Sequence, residues 1–151
     1  MNPAFMKDGA AWLSPQIGTA PAASAAGSVN GAAVDRVLPG VAPGLALSCD
    51  LVAQTGAATG GPTTQTLDAK IQDSPDGSTG WADYIPPGAA SVAAIPQITA
   101  INTLARKRVD LSGARRYIRV VTTVGFTGGS SPTLGNAVVV ELCGLENPPT
   151  A

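Results

Sequence analysis

Alternation of apolar and polar positions is the clearest pattern in the chain. Over 45–54, Leu45, Leu47, Cys49, Leu51 and Ala53 share one face of an extended backbone, while Ala46, Ser48, Asp50, Val52 and Gln54 share the other. That period of two predicts a half-buried strand. Segment 66–73 repeats it, with Leu67, Ala69 and Ile71 inward and Asp68, Lys70 and Gln72 outward. Segment 117–124 is dense in β-branched residues and sets Ile118, Val120, Thr122 and Val124 on one face. Segment 137–142 does the same with Val138, Val140 and Leu142. Shorter extended runs occupy 29–34, 81–85, 98–104 and 107–111.

Turn chemistry separates these runs. Asp73-Ser74-Pro75-Asp76-Gly77 combines a proline that fixes φ with a glycine that accepts positive φ. Pro39-Gly40, Pro43-Gly44, Pro86-Pro87-Gly88 and Ser112-Gly113-Ala114 are further breaks. Segments 55–65 and 125–136 read as Gly-, Thr- and Ser-rich loops, and the Ala-rich stretch 88–96 fits a helical turn that Pro96 limits. About seven short strands and no long amphipathic helix predict an all-β fold, an antiparallel β-sandwich of Ig-like or jelly-roll-like type. A parallel α/β sheet lacks its crossover helices here. The β-domain is expected over 28–145. Residues 1–27 read as an extended low-complexity arm and 146–151 as a short tail.

Composition narrows the chemistry. The chain of 151 residues contains no histidine, which removes the commonest general base and metal ligand. No Ser-x-x-Lys pattern, phosphate-loop spacing or paired catalytic carboxylate takes its place. No catalytic, cofactor-binding or metal-binding residue is therefore assigned, and no cofactor is expected. Asp73, Asp76 and Asp83 cluster around a turn, but they fit a solvated Asx-turn better than a calcium loop. Cys49 and Cys143 read as two buried free thiols, with a single long-range disulfide as the alternative. A formal net charge of −1 does not suit a nucleic-acid partner. No apolar run of about 18 residues suggests a membrane span. The start Met1-Asn2-Pro3, with Lys7 followed by Asp8, does not read as a signal peptide.

Two features are unevenly distributed. The chain holds two each of Trp, Tyr and Phe, and Phe5 and Trp12 lie in the arm, where they could anchor it on a partner. Arg106, Lys107, Arg108, Arg115, Arg116 and Arg119 gather most of the basic charge into one short stretch. Phe5, Trp12, Arg115, Arg116 and Arg119 are thus the candidate partner-contact residues. Trp81 is expected to plug the core. The alternative is a sugar-stacking platform formed by Trp81 and Tyr84. Asp110 followed by a turn and Tyr117 has the pattern of a tyrosine corner.

Four segments, taken in order, carry a resemblance. They are 29–36 (VNGAAVDR), 69–83 (AKIQDSPDGSTGWAD), 109–120 (VDLSGARRYIRV) and 137–140 (AVVV). Together they resemble a diffuse group of small virion structural proteins of tailed phages, often encoded near capsid genes. The chain departs from that group in its Ala/Pro-rich N-terminal arm and in an insertion at 86–97. The resemblance implies a capsid decoration or cement protein, made in the host cytoplasm and located on the capsid surface of the virion. The implied partner is the major capsid protein, with a homo-oligomer, taken as a trimer, as the working assembly. A carbohydrate-binding or host-adhesion module and a tail or neck component are the rival readings.

Overall fold

A computed structural model describes residues 13–37 and 44–145. Phe5 and Trp12 lie outside the described residues. Among these residues the fold is all-β, with nine strands: β1 (Ser14–Ser24), β2 (Gly27–Asn30), β3 (Val34–Asp35), β4 (Ala46–Thr59), β5 (Thr64–Ser74), β6 (Ala82–Asp83), β7 (Leu104–Asp110), β8 (Tyr117–Thr127) and β9 (Thr133–Leu145). Two antiparallel sheets pack face to face as a β-sandwich. Sheet A has the order β1-β9-β4-β7. Sheet B has the order β2-β8-β5-β6, with β3 also paired to β8.

The alternation marks the inner faces. Cys49, Leu51 and Ala53 meet Val138, Val140 and Leu142 across β4 and β9, and all six are buried. Leu67, Ala69 and Ile71 oppose Val124, Thr122 and Val120 across β5 and β8, and are buried too. Leu47, expected on that inner face, is exposed at the end of the sandwich.

The expected arm is largely strand. Residues 14–24 form β1 and pair with β9 from Ser14↔Leu142 to Ser24↔Leu134, so an arm extending to residue 27 is not what the structure shows. The small residues serve packing. A Cβ on Gly18 would stand 2.8 Å from Val120 Cγ2 and 3.0 Å from the Val138 carbonyl oxygen. One on Gly31 would stand 1.8 Å from the Gly18 carbonyl oxygen, so two glycines let the edges of the two sheets close on each other. Pro15 and Pro21 are tolerated because β1 is an edge strand. The run expected over 29–34 splits into β2 and β3. Gly31 lies between them and donates its N–H to Val120 O at 2.7 Å.

The expected loops are shorter than read. β4 and β5 leave only 60–63 between them, and β8 and β9 leave 128–132. Segment 84–98 contains no helical turn. It runs beside β5 through Ile71 N–H to Ala93 O, Ile95 N–H to Ala69 O and a reciprocal Leu67–Ile98 pair, burying Ala93, Ile95 and Ile98. Within 98–104, strand begins only at Leu104.

Tyr84, not Trp81, enters the core, and its hydroxyl donates to Asp110 O at 2.8 Å. The Asp110 carbonyl is thus taken by a tyrosine 26 positions earlier in the chain, a contact between distant segments and not a tyrosine corner at Tyr117. Burying Tyr84 also removes it from any exposed stacking platform. The two thiols are free and sit on adjacent strands with opposite orientation. Cys49 pairs with Leu142 on the inner face, and Cys143 pairs with Ser48 on the outer one. Burial pushes the Cys49 thiol up to about 12, far above any thiolate-forming range at neutral pH. A thiol-specific reagent at neutral pH should therefore reach at most Cys143 in the folded chain. Cys49 should react only after denaturation, and two fast-reacting thiols in the native protein would contradict this placement.

Candidate functional surfaces

The outward faces of the two sheets differ in chemistry. On sheet A, Ile17, Val139 and Val52 stand side by side across β1, β9 and β4, followed by Arg106 on β7. Ile17 is 64% exposed and Val139 37%. Leu104, on the same outward parity of β7, is 60% exposed. The next row is Pro15, Glu141, Asp50 and Arg108. Asp50 is only 2% exposed, although it points away from the core. Arg106 Nη2 and Arg108 Nε both donate to its carboxylate and cover it, the latter at 3.4 Å. Burial alone would raise the Asp50 carboxyl, but the hydrogen bonds from Arg106 and then Arg108 outweigh it and hold the group below its ordinary value. The result is an apolar row beside a charged edge strand, a profile that suits both partner contact and protection of the edge against unwanted strand pairing.

The outward face of sheet B is polar. None of the exposed large hydrophobics falls on β5, β6 or β8. Arg119 lies over the Trp81 ring at 4.4 Å and donates through Nε and Nη2 to Gln72 Oε1 at 3.0 and 2.7 Å. Gln72 Nε2 donates to Asp83 Oδ1 at 2.8 Å, and Lys70 Nζ donates to Asp83 Oδ2 at 2.6 Å. Beside them Arg116 stacks on Tyr117 at 5.1 Å and pairs with Asp35 at 2.7 Å. The turn after β5 closes onto the Tyr117 ring at Gly77. The φ of 76° there suits glycine, and a Cβ would meet the ring at 3.0 Å.

The basic stretch is therefore not a single strip. Arg106 and Arg108 belong to the outer face of sheet A, whereas Arg116 and Arg119 stand on that of sheet B. Arg115, in the turn before β8, donates its backbone N–H to Asp73 Oδ2 and its Nη1 to Gly80 O, each at 2.9 Å. All three predicted arginine contacts are held by their own chain. The apolar row on sheet A was not among the predicted contacts. Its signal was a large apolar residue on the outward parity of a strand, as at Val139 between the inward Val138 and Val140.

Asp76 anchors the turn after β5 by accepting from the Ser78 and Thr79 N–H groups and the Thr79 hydroxyl, the expected Asx-turn, whereas Asp73 is buried and accepts from the Arg115 N–H and Asp83 pairs with Lys70. No group of three metal-ligating side chains occurs among the described residues, and no helix is long and apolar enough to cross a membrane.

These bonds set a pH dependence. The hydrogen bond from Arg116 holds Asp35 low, those from Lys70 and Gln72 hold Asp83 low, and those from Thr79 and Ser78 hold Asp76 low. Carboxyls depressed in the folded chain make it bind fewer protons than the unfolded chain. Their stabilisation is complete above about pH 4, the ordinary aspartate value, and is lost as the pH falls through the folded values. With no histidine, no side chain of ordinary pKa titrates between about pH 5 and 8. Melting temperature should be flat across that window and drop below about pH 4. A transition centred near pH 6.5 would contradict it.

Comparison with protein families, with curated proteins and with solved structures finds no match to this chain.

Proposed function

We propose that this chain is a non-enzymatic structural protein of a tailed-phage virion, a capsid decoration or cement protein that binds the outer surface of the head and stabilises it. The observation that carries the reading is the contrast between the two outward faces. Sheet A offers the apolar row of Ile17, Val139 and Val52, with Leu104 and the arginines of β7 around it, and sheet B offers a polar face. In a decoration protein, sheet A lies against the shell and sheet B faces solvent. The resemblance of segments 29–36, 69–83, 109–120 and 137–140 to small virion proteins supports the same class. The partner is the major capsid protein, and the assembly is a homo-oligomer, with a trimer suited to three-fold positions of the shell. Many modest contacts repeated by symmetry give a strong overall hold.

The test is direct. Purified full-length protein is added to undecorated heads, and the particles are imaged. Regular added density on the shell is the expected result. A bare shell overturns the proposal, and density confined to the tail or neck moves the protein to that position. Deleting residues 1–27 is a poor probe of attachment, because it removes the edge strand β1 and with it Ile17.

A further inference from the structure

We propose that the outward face of sheet B, at the end bearing Trp81 and Tyr117, is a binding site for a neutral oligosaccharide. The site lies on the opposite face from the one assigned to the shell and does not depend on that assignment.

The first support is preorganisation. Trp81, Arg119, Gln72, Asp83 and Lys70 form one continuous chain of contacts across β8, β5 and β6, from the ring–guanidinium stack at 4.4 Å to the ion pair at 2.6 Å. Arg119, Gln72, Asp83 and Lys70 are each held by a neighbour on a paired strand and Trp81 lies just before β6, so little rotamer freedom remains to be lost when a ligand arrives. Among the described residues the chain leaves donors and acceptors unused. Arg119 Nη1 has no partner, Lys70 has bonded through only one of its three N–H groups, and each Asp83 oxygen accepts a single bond.

The second support is the type of chemistry. Lys70, Arg116 and Arg119 balance Asp35, Asp68 and Asp83 on this face, so its side-chain charges cancel and do not select an anion or a cation. Nucleic acid needs a basic excess, and a lipid surface or an apolar peptide needs a contiguous exposed apolar patch, whereas the exposed large hydrophobics here are single residues, Val29 on β2 and Ile85 after β6, with none on β5, β6 or β8. A sugar ring presents C–H groups on its face and hydroxyls around its edge. Arg119 covers one face of the Trp81 indole, so the apolar contact falls to the part of this half-buried ring that Arg119 leaves open, and planar amide, guanidinium and carboxylate groups supply paired hydrogen bonds in the ring plane. Asp68, Lys70 and Gln72 point outward in succession along β5, a track of about 14 Å from first to last. That is long enough for a chain of rings rather than one.

The probes are maltohexaose, cellohexaose, chitohexaose and mannohexaose, with polygalacturonate as an acidic control. Each is titrated into the full-length protein and followed by tryptophan emission and calorimetry. The expected result is saturable, salt-insensitive binding of at least one neutral hexasaccharide. Gln72→Ala and Lys70→Ala should each weaken it about tenfold. Trp81→Ala should abolish the emission change. Unaltered melting of the Gln72→Ala and Lys70→Ala proteins keeps the test independent of any folding defect at Trp81. The proposal is overturned if none of the four binds, if binding is indifferent to both surface substitutions, or if only polygalacturonate binds and salt removes it.

Discussion

Replacing Arg36 by methionine should destabilise the domain by about 3–5 kcal/mol, the scale for leaving several buried carbonyls without donors. Arg36 is fully buried and bonds no carboxylate. Its guanidinium is spent on backbone carbonyls. Nε and Nη2 donate to Ala46 O at 3.0 and 2.6 Å, Nη2 also donates to Leu111 O at 2.6 Å, and Nη1 serves Arg115 O at 3.0 Å and Ala114 O. One side chain thus ties the residue after β3 to the start of β4 and to the turn between β7 and β8. Burial lowers its pKa, but arginine's ordinary value is so high that the group stays charged. Methionine fills much of the volume and leaves those carbonyls without donors, each a cost of about 1–3 kcal/mol if water cannot reach it. Urea unfolding should show the loss, with a melting temperature lower by roughly 10 °C. Arg36→Lys should recover only part of it, since an ammonium cannot span carbonyls on both sides of the fork. Arg116→Met, which breaks an exposed and solvent-screened pair with Asp35, should leave the melting temperature nearly unchanged. An Arg36→Met protein as stable as its parent would remove this side chain from the account of the fold.

Arg36 also marks the boundary of what the linear chain discloses. Alternation identifies a strand where one face is apolar, which is why the inner faces of β5, β8 and β9 and most of that of β4 were legible. Arg36 follows a two-residue strand and has no such pattern around it. Its burial arises only when segments near 36, 46 and 111–115 meet. β1 was illegible for another reason. Its glycines, alanines and prolines have little apolar surface, and their value lies in the close approach of Gly18 to Gly31, which no local window contains. Trp81 and Tyr84 show a third limit. They sit three residues apart on an edge, and parity alone did not say which would turn inward. The buried tyrosine has a carbonyl within reach of its hydroxyl, and the tryptophan has a guanidinium to lie against. For the candidate site, Arg115, Arg116 and Arg119 are neighbours in sequence, but their bonds to Asp73, Gly80, Asp35 and Gln72 became visible only in three dimensions.

The double substitution Ile17→Asp with Val139→Asp should abolish attachment to undecorated heads while leaving the sandwich folded. The two residues are direct partners on β1 and β9 and point outward, so neither contributes to the core between the sheets. The pair also touches Val52, and two carboxylates set directly opposite each other repel, so the variant loses some stability but leaves the core between the sheets intact. At a docked interface the same change is severe, because it places two uncompensated carboxylates against the shell and removes the apolar contact. Burying an unpaired charge costs several kcal/mol. Even a loss of about 1.4 kcal/mol per site is tenfold in affinity, and avidity compounds the loss over each linked contact. The matched control is Ser28→Asp with Thr123→Asp on sheet B, a pair also directly opposed across neighbouring strands and joined by a 2.8 Å hydroxyl contact. Sedimentation of heads with bound protein, quantified by gel, should show near-complete loss for the sheet A pair and wild-type occupancy for the sheet B pair. The reverse result would place sheet B against the shell and leave the apolar row facing solvent. Equal binding by both variants would mean that neither outward face makes the contact, and attachment would then have to be sought in residues 1–12 or at the ends of the sandwich.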